Sequence, residues 1–153
     1  MKKIFTITLA LALALSLTAC GGKEESYKTG DVQAMADAGA FSEELEELDA
    51  DTAFALYGLA DAGLEREDLK DCAVLRSAGA TCEEGAVLVL SDKDKAKSAS
   101  EALHTYIGRQ VDANEDYRPG EIPKLKEAYI SVKGSAVLMA VADDIDAAKK
   151  AVE

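Results

Sequence analysis

Residues 85–103, GAVLVLSDKDKAKSASEAL, join a short apolar run to a segment rich in lysine and alanine. Residues 135–153, SAVLMAVADDIDAAKKAVE, repeat this pattern fifty residues later. Another strand-like segment precedes each copy, at residues 71–78 and 128–133. Apolar runs bounded by turn residues predict strands, and self-similarity predicts a repeated structural unit. The sequence therefore predicts two β-β-α units.

Together the two units predict an α+β domain with one four-stranded antiparallel sheet. In chain order its strands are residues 71–78, 85–91, 128–133 and 135–142. A helix that returns the chain after the second strand allows the fourth strand to pair with the second. The predicted sheet order is therefore 1-2-4-3. Right-handed crossings would place both long helices on one face of this sheet.

An additional helical N-terminal segment, residues 30–58, precedes the sheet, and its first helix is expected to end at Gly39. The two middle strands are apolar on both sides, so the second face needs a cover or forms an interaction surface. The expected cover consists of Phe41, Leu45, Leu48, Phe54, Leu56 and Tyr57. The alternative leaves part of this face open beside Tyr129 and Lys133.

Residues 1–19 have the organisation of a bacterial export signal. Lys2 and Lys3 form a positive start, and residues 4–17 are an apolar run. That run has about 14 residues, whereas a helix needs about 20 to span a bilayer. We therefore expect it to be a cleaved signal peptide and not a membrane anchor.

The signal ends in Leu17-Thr18-Ala19-Cys20, which resembles the bacterial lipobox. In that motif the signal is cut between Ala19 and Cys20, and the Cys20 thiol carries a diacylglyceryl group. Two acyl chains on one residue suffice for stable anchoring, whereas one chain binds only weakly. The alternative is a conventional signal with an incidental cysteine. The lipid bilayer, reached through acylated Cys20, is thus an expected partner.

Three regions follow from this interpretation: the signal peptide at 1–19, the lipidated cysteine with a flexible tether at 20–30, and one domain at 31–153. The tether is polar and begins with two glycines, a composition that does not order itself. The expected location is the extracytoplasmic face of the bacterial cell membrane.

The charge of the chain argues against nucleic acid as a partner. Two of the 17 basic residues and none of the 29 acidic residues precede Cys20, so the chain from Cys20 onward has formal charge −14. Phosphate backbones repel such a surface. An envelope protein or a cell-wall component remains as the expected partner.

The chain contains no constellation that would carry a familiar reaction. His104 is the single histidine, and its position predicts a solvated side chain. The acidic clusters precede alanine-rich runs, where aspartate caps a helix, and we expect no metal and no cofactor. These clusters are Asp49 with Asp51, Asp92 with Asp94, and Asp143 with Asp144 and Asp146.

Cys72 and Cys82 remain once Cys20 is lipidated, and export would permit a disulfide between them. In the predicted hairpin Cys82 lies near the turn and Cys72 near the far end. At about 3.3 Å per residue they are close to 20 Å apart, well beyond the ~7 Å limit between bridged Cα atoms. We expect two free thiols.

Several of these features together resemble a known family. They are the lipobox, the helical segment ending in Tyr57-Gly58-Leu59, Tyr117 two residues before Pro119, and the strand pair around Gly134. Over residues 32–152 they resemble the bacterial lipoproteins of the domain of unknown function 4358. The turn Gly134-Ser135-Ala136 departs from the family's frequent Gly-Asn-aromatic turn. The resemblance implies an envelope lipoprotein and no particular activity.

Three classes of function therefore stay open. A membrane-anchored binding or interaction module of unknown specificity fits the anchor, the compact domain and the missing catalytic motifs. The alternative is a small-ligand or cation-sensing lipoprotein, which would use the acidic charge. An enzyme is the least favoured class, because it would need a buried carboxylate with a raised pKa in a cleft.

Overall fold

A computed structural model describes residues 25–153 as one antiparallel sheet between two helical layers. The strands are β1 (Glu46–Glu47), β2 (Leu69–Arg76), β3 (Glu84–Leu90), β4 (Tyr129–Lys133) and β5 (Ala136–Val141). The helices are α1 (Gly30–Asp37), α2 (Ala50–Leu56), α3 (Lys93–Asn114), α4 (Ile122–Lys126) and α5 (Ile145–Ala151). Single 3₁₀ turns occupy Ala60–Ala62, Arg66–Asp68 and Pro119–Glu121. The α+β class is confirmed.

The prediction of a four-stranded sheet is wrong, because the sheet has five strands in the order β1-β2-β3-β5-β4. The added strand, β1, pairs antiparallel with the end of β2, with Glu46 opposite Arg76. Opposite charges across a strand pair favour this register. β2, which the sequence placed at an edge, is therefore an interior strand.

The first face of the sheet is covered by α2 and α3. Its strand residues include Val74, Ala86, Leu88, Val137 and Met139, all fully buried. α3 has 22 residues and is thus about 33 Å long, and it packs across β3, β4 and β5 while α2 packs on β2. These two helices therefore cover β2, β3, β4 and β5 on this face.

The second face is covered by α1 and α5, so the prediction that both long helices share one face is wrong. Ala148 of α5 and Met35 of α1 are fully buried against Val87, Leu138 and Ala140. Because α3 and α2 occupy the first face, α5 packs on the other one. The two β-β-α units therefore share their strand pairing but not the placement of their helices.

The N-terminal segment does not cover the second face as a unit. Phe41 packs on the second face, whereas Leu48, Phe54, Leu56 and Tyr57 pack on the first. The expected cover is wrong because β1 pairs with β2 at the sheet edge and lets the chain cross from one face to the other. The alternative left part of this face open beside Tyr129 and Lys133; Lys149 Nζ lies 5.4 Å from the Tyr129 ring centroid, and Lys133 Nζ lies 4.8 Å from the Tyr27 ring centroid and donates to the Val152 carbonyl.

Aspartates cap the helices that follow the strands. Asp92 accepts a hydrogen bond from the Lys95 amide and Asp144 accepts one from the Ala147 amide, which confirms capping at α3 and α5. At α2 the cap is Asp49, which accepts from the amides of Asp51 and Thr52. Asp51 itself lies in the first turn of that helix.

The predicted tether overlaps with residues that the structure holds in place. Ser26 donates a hydrogen bond to the Lys133 carbonyl, and Tyr27 is buried on the second face of the sheet. The flexible tether therefore cannot extend to Gly30. The signal peptide, Ala19 and Cys20 lie outside the described residues. Within residues 25–153, no helix combines the length and apolar character that crossing a membrane requires.

Candidate functional site

The loop between β2 and β3, residues 77–83, borders a small polar cavity at one end of the sheet. The cavity has a volume of about 100 Å³. We call it the hairpin-end cavity, and its walls include Arg76, Gly79, Cys82, Glu84, Gln110 and Arg118. It brings together side chains from the hairpin, from α3 and from the turn that follows α3.

Glu84 lies at the base of the cavity, and its side chain is only 4% exposed. The Tyr57 hydroxyl donates to Glu84 Oε1 at 2.5 Å, and the Tyr106 hydroxyl donates to Oε2 at 2.7 Å. Arg76 Nε donates to the same Oε2 at 3.2 Å. The two tyrosine rings pack edge to face with their centroids 5.0 Å apart. Glu84 thus links β3 to the end of α2 and the middle of α3.

Burial sets the protonation of this cluster. It raises the pKa of the Glu84 carboxyl, while the hydrogen bonds from Tyr57 and Tyr106 and the charge of Arg76 oppose the rise. Burial also raises the pKa of Tyr57 well above its usual value, and the Glu84 charge raises it further. The Tyr106 pKa is raised for the same reasons. Both phenols therefore keep their protons and act as donors.

Glu83, the last residue of the hairpin loop, is also fully buried, and it lies beside Ser42, which follows Phe41 of the second face. It accepts from the Ser42 amide at 2.7 Å and from the Ser42 hydroxyl at 2.6 Å. Lys124 Nζ donates to Glu83 at 2.7 Å. Lys124 also pairs with Glu121 at 3.4 Å and with Asp143 at 3.5 Å. This second carboxylate joins the hairpin loop to α4 and to the chain after α1.

Arg118 holds the hairpin loop against the end of α3. Its Nη1 donates to the carbonyls of Gly79 at 2.8 Å and Thr81 at 3.0 Å. Its Nε donates to Asn114 Oδ1 at 2.9 Å. The preceding residue, Tyr117, is 82% exposed, and the Arg118 guanidinium lies 5.9 Å from its ring centroid. An exposed aromatic ring therefore stands beside the cavity.

Both cysteines of the domain are free thiols, as expected. Cys82 forms part of the cavity wall, and its amide donates to Glu121 at 2.8 Å. Burial raises the pKa of both the Cys72 and the Cys82 thiol. Neither thiol is therefore activated as a nucleophile at neutral pH.

A second concave region lies at the opposite end of the sheet, around the N-terminal segment. This N-terminal groove has a volume of about 420 Å³, and its walls include Ser26, Tyr27, Lys28, Asp31, Lys133 and Val152. The Tyr27 hydroxyl donates to Ser131 Oγ at 2.8 Å, and Lys133 Nζ lies 4.8 Å from the Tyr27 ring centroid. Burial raises the Tyr27 pKa to about 12.

Of the residues singled out from the sequence, Cys82 lines the hairpin-end cavity and Lys133 lines the N-terminal groove, whereas His104 and the aspartate clusters lie in neither region. His104 is exposed on α3, as expected, and the aspartate clusters serve the helix ends. Among residues 25–153, no three His, Cys, Asp or Glu side chains are grouped to hold a metal ion. Of the Tyr57-Gly58-Leu59 motif, Tyr57 reaches the buried Glu84.

Sequence reasoning missed Glu83 and Glu84, the two buried acids. The signal was present, because both precede an apolar run directly in CEEGAVLVL. A pair of acids joined to a strand that is buried on both sides requires partners on both sides. Tyr106 lies 22 residues after Glu84, and its hydroxyl could not be paired with Glu84 without the fold.

A comparison with family models matches residues 37–142 to DUF4358, a domain of unknown function. The chain belongs to this family. The matched range contains the whole hairpin-end cavity together with Tyr57, Glu84 and Tyr106. It leaves out α5 and the N-terminal segment at Ser26 and Tyr27. No curated protein and no solved structure matches the chain.

Proposed function

We propose that the protein is a lipoprotein anchored through diacylated Cys20 to the extracytoplasmic face of the bacterial cell membrane, where its domain acts as a binding module. One observation carries the proposal: the lipobox Leu17-Thr18-Ala19-Cys20 is followed, after only five residues, by a domain that holds Ser26 and Tyr27 in place. An anchor and a folded domain are thus joined directly.

The buried Glu84 cluster favours binding over catalysis. Both carboxylate oxygens accept hydrogen bonds, and their three donors come from Tyr57, Tyr106 and Arg76. A general acid or base must instead reach the proton that it transfers. The cluster therefore supports a rigid hairpin whose outer surface is available to a partner.

The size of the hairpin-end cavity favours a macromolecular partner at this end of the sheet. Its volume of about 100 Å³ is well below the 300 Å³ at which typical small-molecule pockets begin. Tyr117 and Arg118, beside the hairpin loop, belong to the residue types that dominate protein–protein interfaces. An envelope protein or wall component that contacts this loop and Tyr117 is the partner we propose.

Two experiments test the proposal. Wild-type protein and a Cys20→Ser variant are fractionated from the same host, and only the wild type should remain with the membranes. A photo-crosslinking amino acid is then placed at Tyr117 and, as a control, at exposed Lys70. A discrete crosslinked band from position 117 alone supports the module, and its absence contradicts the proposed surface.

A further inference from the structure

The sheet has two distinct ends, and the N-terminal segment docks at one of them. The β4–β5 turn, Gly134–Ser135, lies beside the end of β3, where the Leu90 amide donates to the Ser135 carbonyl. We call this the anchor end. The β3–β5 pairing continues from Val89 opposite Ala136 to Glu84 opposite Val141. Those five residue steps span about 17 Å, and the hairpin-end cavity lies beyond them.

Three contacts hold the N-terminal segment at the anchor end. Ser26 Oγ donates to the Lys133 carbonyl at 3.1 Å, and the buried Tyr27 hydroxyl reaches Ser131. Gly134 has φ +60°, and a Cβ there would lie 3.2 Å from the Glu25 carbonyl oxygen. The backbone of Glu25 therefore passes directly against the β4–β5 turn.

The short chain between Cys20 and Glu25 limits how far the anchor end can lie from a lipid-modified Cys20. Five residue steps separate Cys20 from Glu25, and a fully extended chain of that length spans at most about 18 Å. The hairpin end is separated from Glu25 by the length of the β3–β5 pairing, about 17 Å. In addition, the acidic domain is repelled by anionic headgroups, which disfavours a domain lying flat on the membrane.

We infer that the anchor end rests against the lipid headgroups, with the N-terminal groove facing them, and that the hairpin end projects away from the membrane. The inference rests on the proposed lipidation of Cys20. The groove carries Lys28 and Lys133 but also Glu25, Asp31 and Glu153, so the orientation rests on the short connection to Cys20 and not on charge attraction. The loop at 77–83 and Tyr117 then face the space where an envelope or wall partner lies.

Short-range quenching on vesicles tests this orientation. The acylated full-length protein is prepared with Cys72→Ser and Cys82→Ser, and a fluorophore is attached through either Glu153→Cys or Ala80→Cys, both exposed positions. The vesicles contain phosphatidylglycerol, phosphatidylethanolamine and a nitroxide quencher on the headgroup. Because more than about 17 Å of sheet separates the labels, quenching at position 153 should exceed that at 80 by roughly threefold.

A longer linker provides the control. Insertion of about 12 glycine and serine residues between Gly22 and Lys23 should abolish the difference in quenching between the two labels, while the protein stays bound to the vesicles. Equal quenching of the two labels on acylated, vesicle-bound protein overturns the orientation alone. If the wild-type protein isolated from the host carries no acyl chains on Cys20 and does not float with the vesicles, the lipid anchor is overturned and, with it, the orientation.

Discussion

Glu83 and Glu84 are adjacent in the chain, yet their carboxylates are buried on opposite faces of one sheet. Glu84 is bound by Tyr57 and Tyr106 on the first face, and Glu83 by Lys124 and the chain at Ser42 on the second. Two buried carboxylates at the hairpin end therefore attach the sheet to α2 and α3 through Glu84 and to α4 and the Ser42 segment through Glu83. This arrangement holds the hairpin end through buried charges and hydrogen bonds on both sides.

Glu84→Gln should destabilise the domain. The amide brings an NH₂ donor towards groups that already donate, and the charge-assisted bonds are lost, so we expect a cost of about 2–3 kcal/mol. Urea unfolding of the chain without residues 1–20 measures it. Glu101→Gln, at an exposed position on α3, is the matched control and should change stability by less than about 0.5 kcal/mol. Equal effects of the two variants would contradict the role given to Glu84.

The Glu84 cluster also predicts a pH dependence. Because burial raises the folded-state pKa of Glu84, the folded protein binds the proton more tightly than the unfolded chain does. Stability contributed by this group is thus greatest below the unfolded pKa of about 4.3 and falls as the pH rises through the folded pKa. The difference in unfolding free energy between wild type and Glu84→Gln should therefore shrink over that window. A difference that grows with pH there would refute the raised pKa.

Lys124→Met removes the cation that neutralises Glu83. Since the Glu83 side chain has no exposed surface, its charge would keep, among residues 25–153, the two hydrogen bonds from Ser42. We expect a loss of about 2–4 kcal/mol in chemical unfolding. Lys126→Met, at an exposed position on the same helix, is the control and should be nearly neutral. If both variants unfold at the same urea concentration, the Glu83–Lys124 pair contributes nothing.

Gly134→Ala tests the docking of the N-terminal segment. Gly134 and Gly63 both have positive φ, so alanine costs about 1–2 kcal/mol of backbone strain at either site. Only at Gly134 would the new Cβ meet another part of the chain, the Glu25 carbonyl. Gly134→Ala should therefore be the more destabilising of the two and should speed hydrogen exchange at Tyr27. Unchanged exchange at Tyr27 would show that the segment is not held by this turn.

Cys72 and Cys82 should both react with a thiol reagent without prior reduction. In the folded domain the reaction should be slow, since burial raises both thiol pKa values, and denaturant should accelerate it. Mass spectrometry counts the added labels. A denatured, unreduced protein that takes up none would establish a disulfide and contradict the hairpin geometry.

The sequence located the strands that have an apolar pattern, because alternation and double burial leave a clear signal in residues such as Val87 and Leu138. β1 could not be found this way, since Glu46 and Glu47 are exposed and form only two residues of strand. The face of the sheet on which α5 packs could not be predicted from the sequence either. The pattern of an amphipathic helix predicts that the helix packs on the sheet. The face on which it packs depends on the space that α3 leaves.

The candidate site was harder to foresee than the fold. Helix caps such as Asp92 and Asp144 follow local rules, and their roles were predicted correctly. The Glu84 cluster depends on long-range pairing, because Tyr57 and Tyr106 lie 27 and 22 residues away in the chain. No local pattern brings these three side chains together.

The covalent state of Cys20 tests the account most directly. The protein is extracted from the membranes of a bacterial host, and the mass of its N-terminal peptide is measured, with Cys20→Ser processed in parallel. The account predicts a chain that begins at Cys20 and carries a diacylglyceryl group, which the serine variant lacks. A chain that begins elsewhere, or that carries an unmodified Cys20, would contradict the proposed membrane anchor.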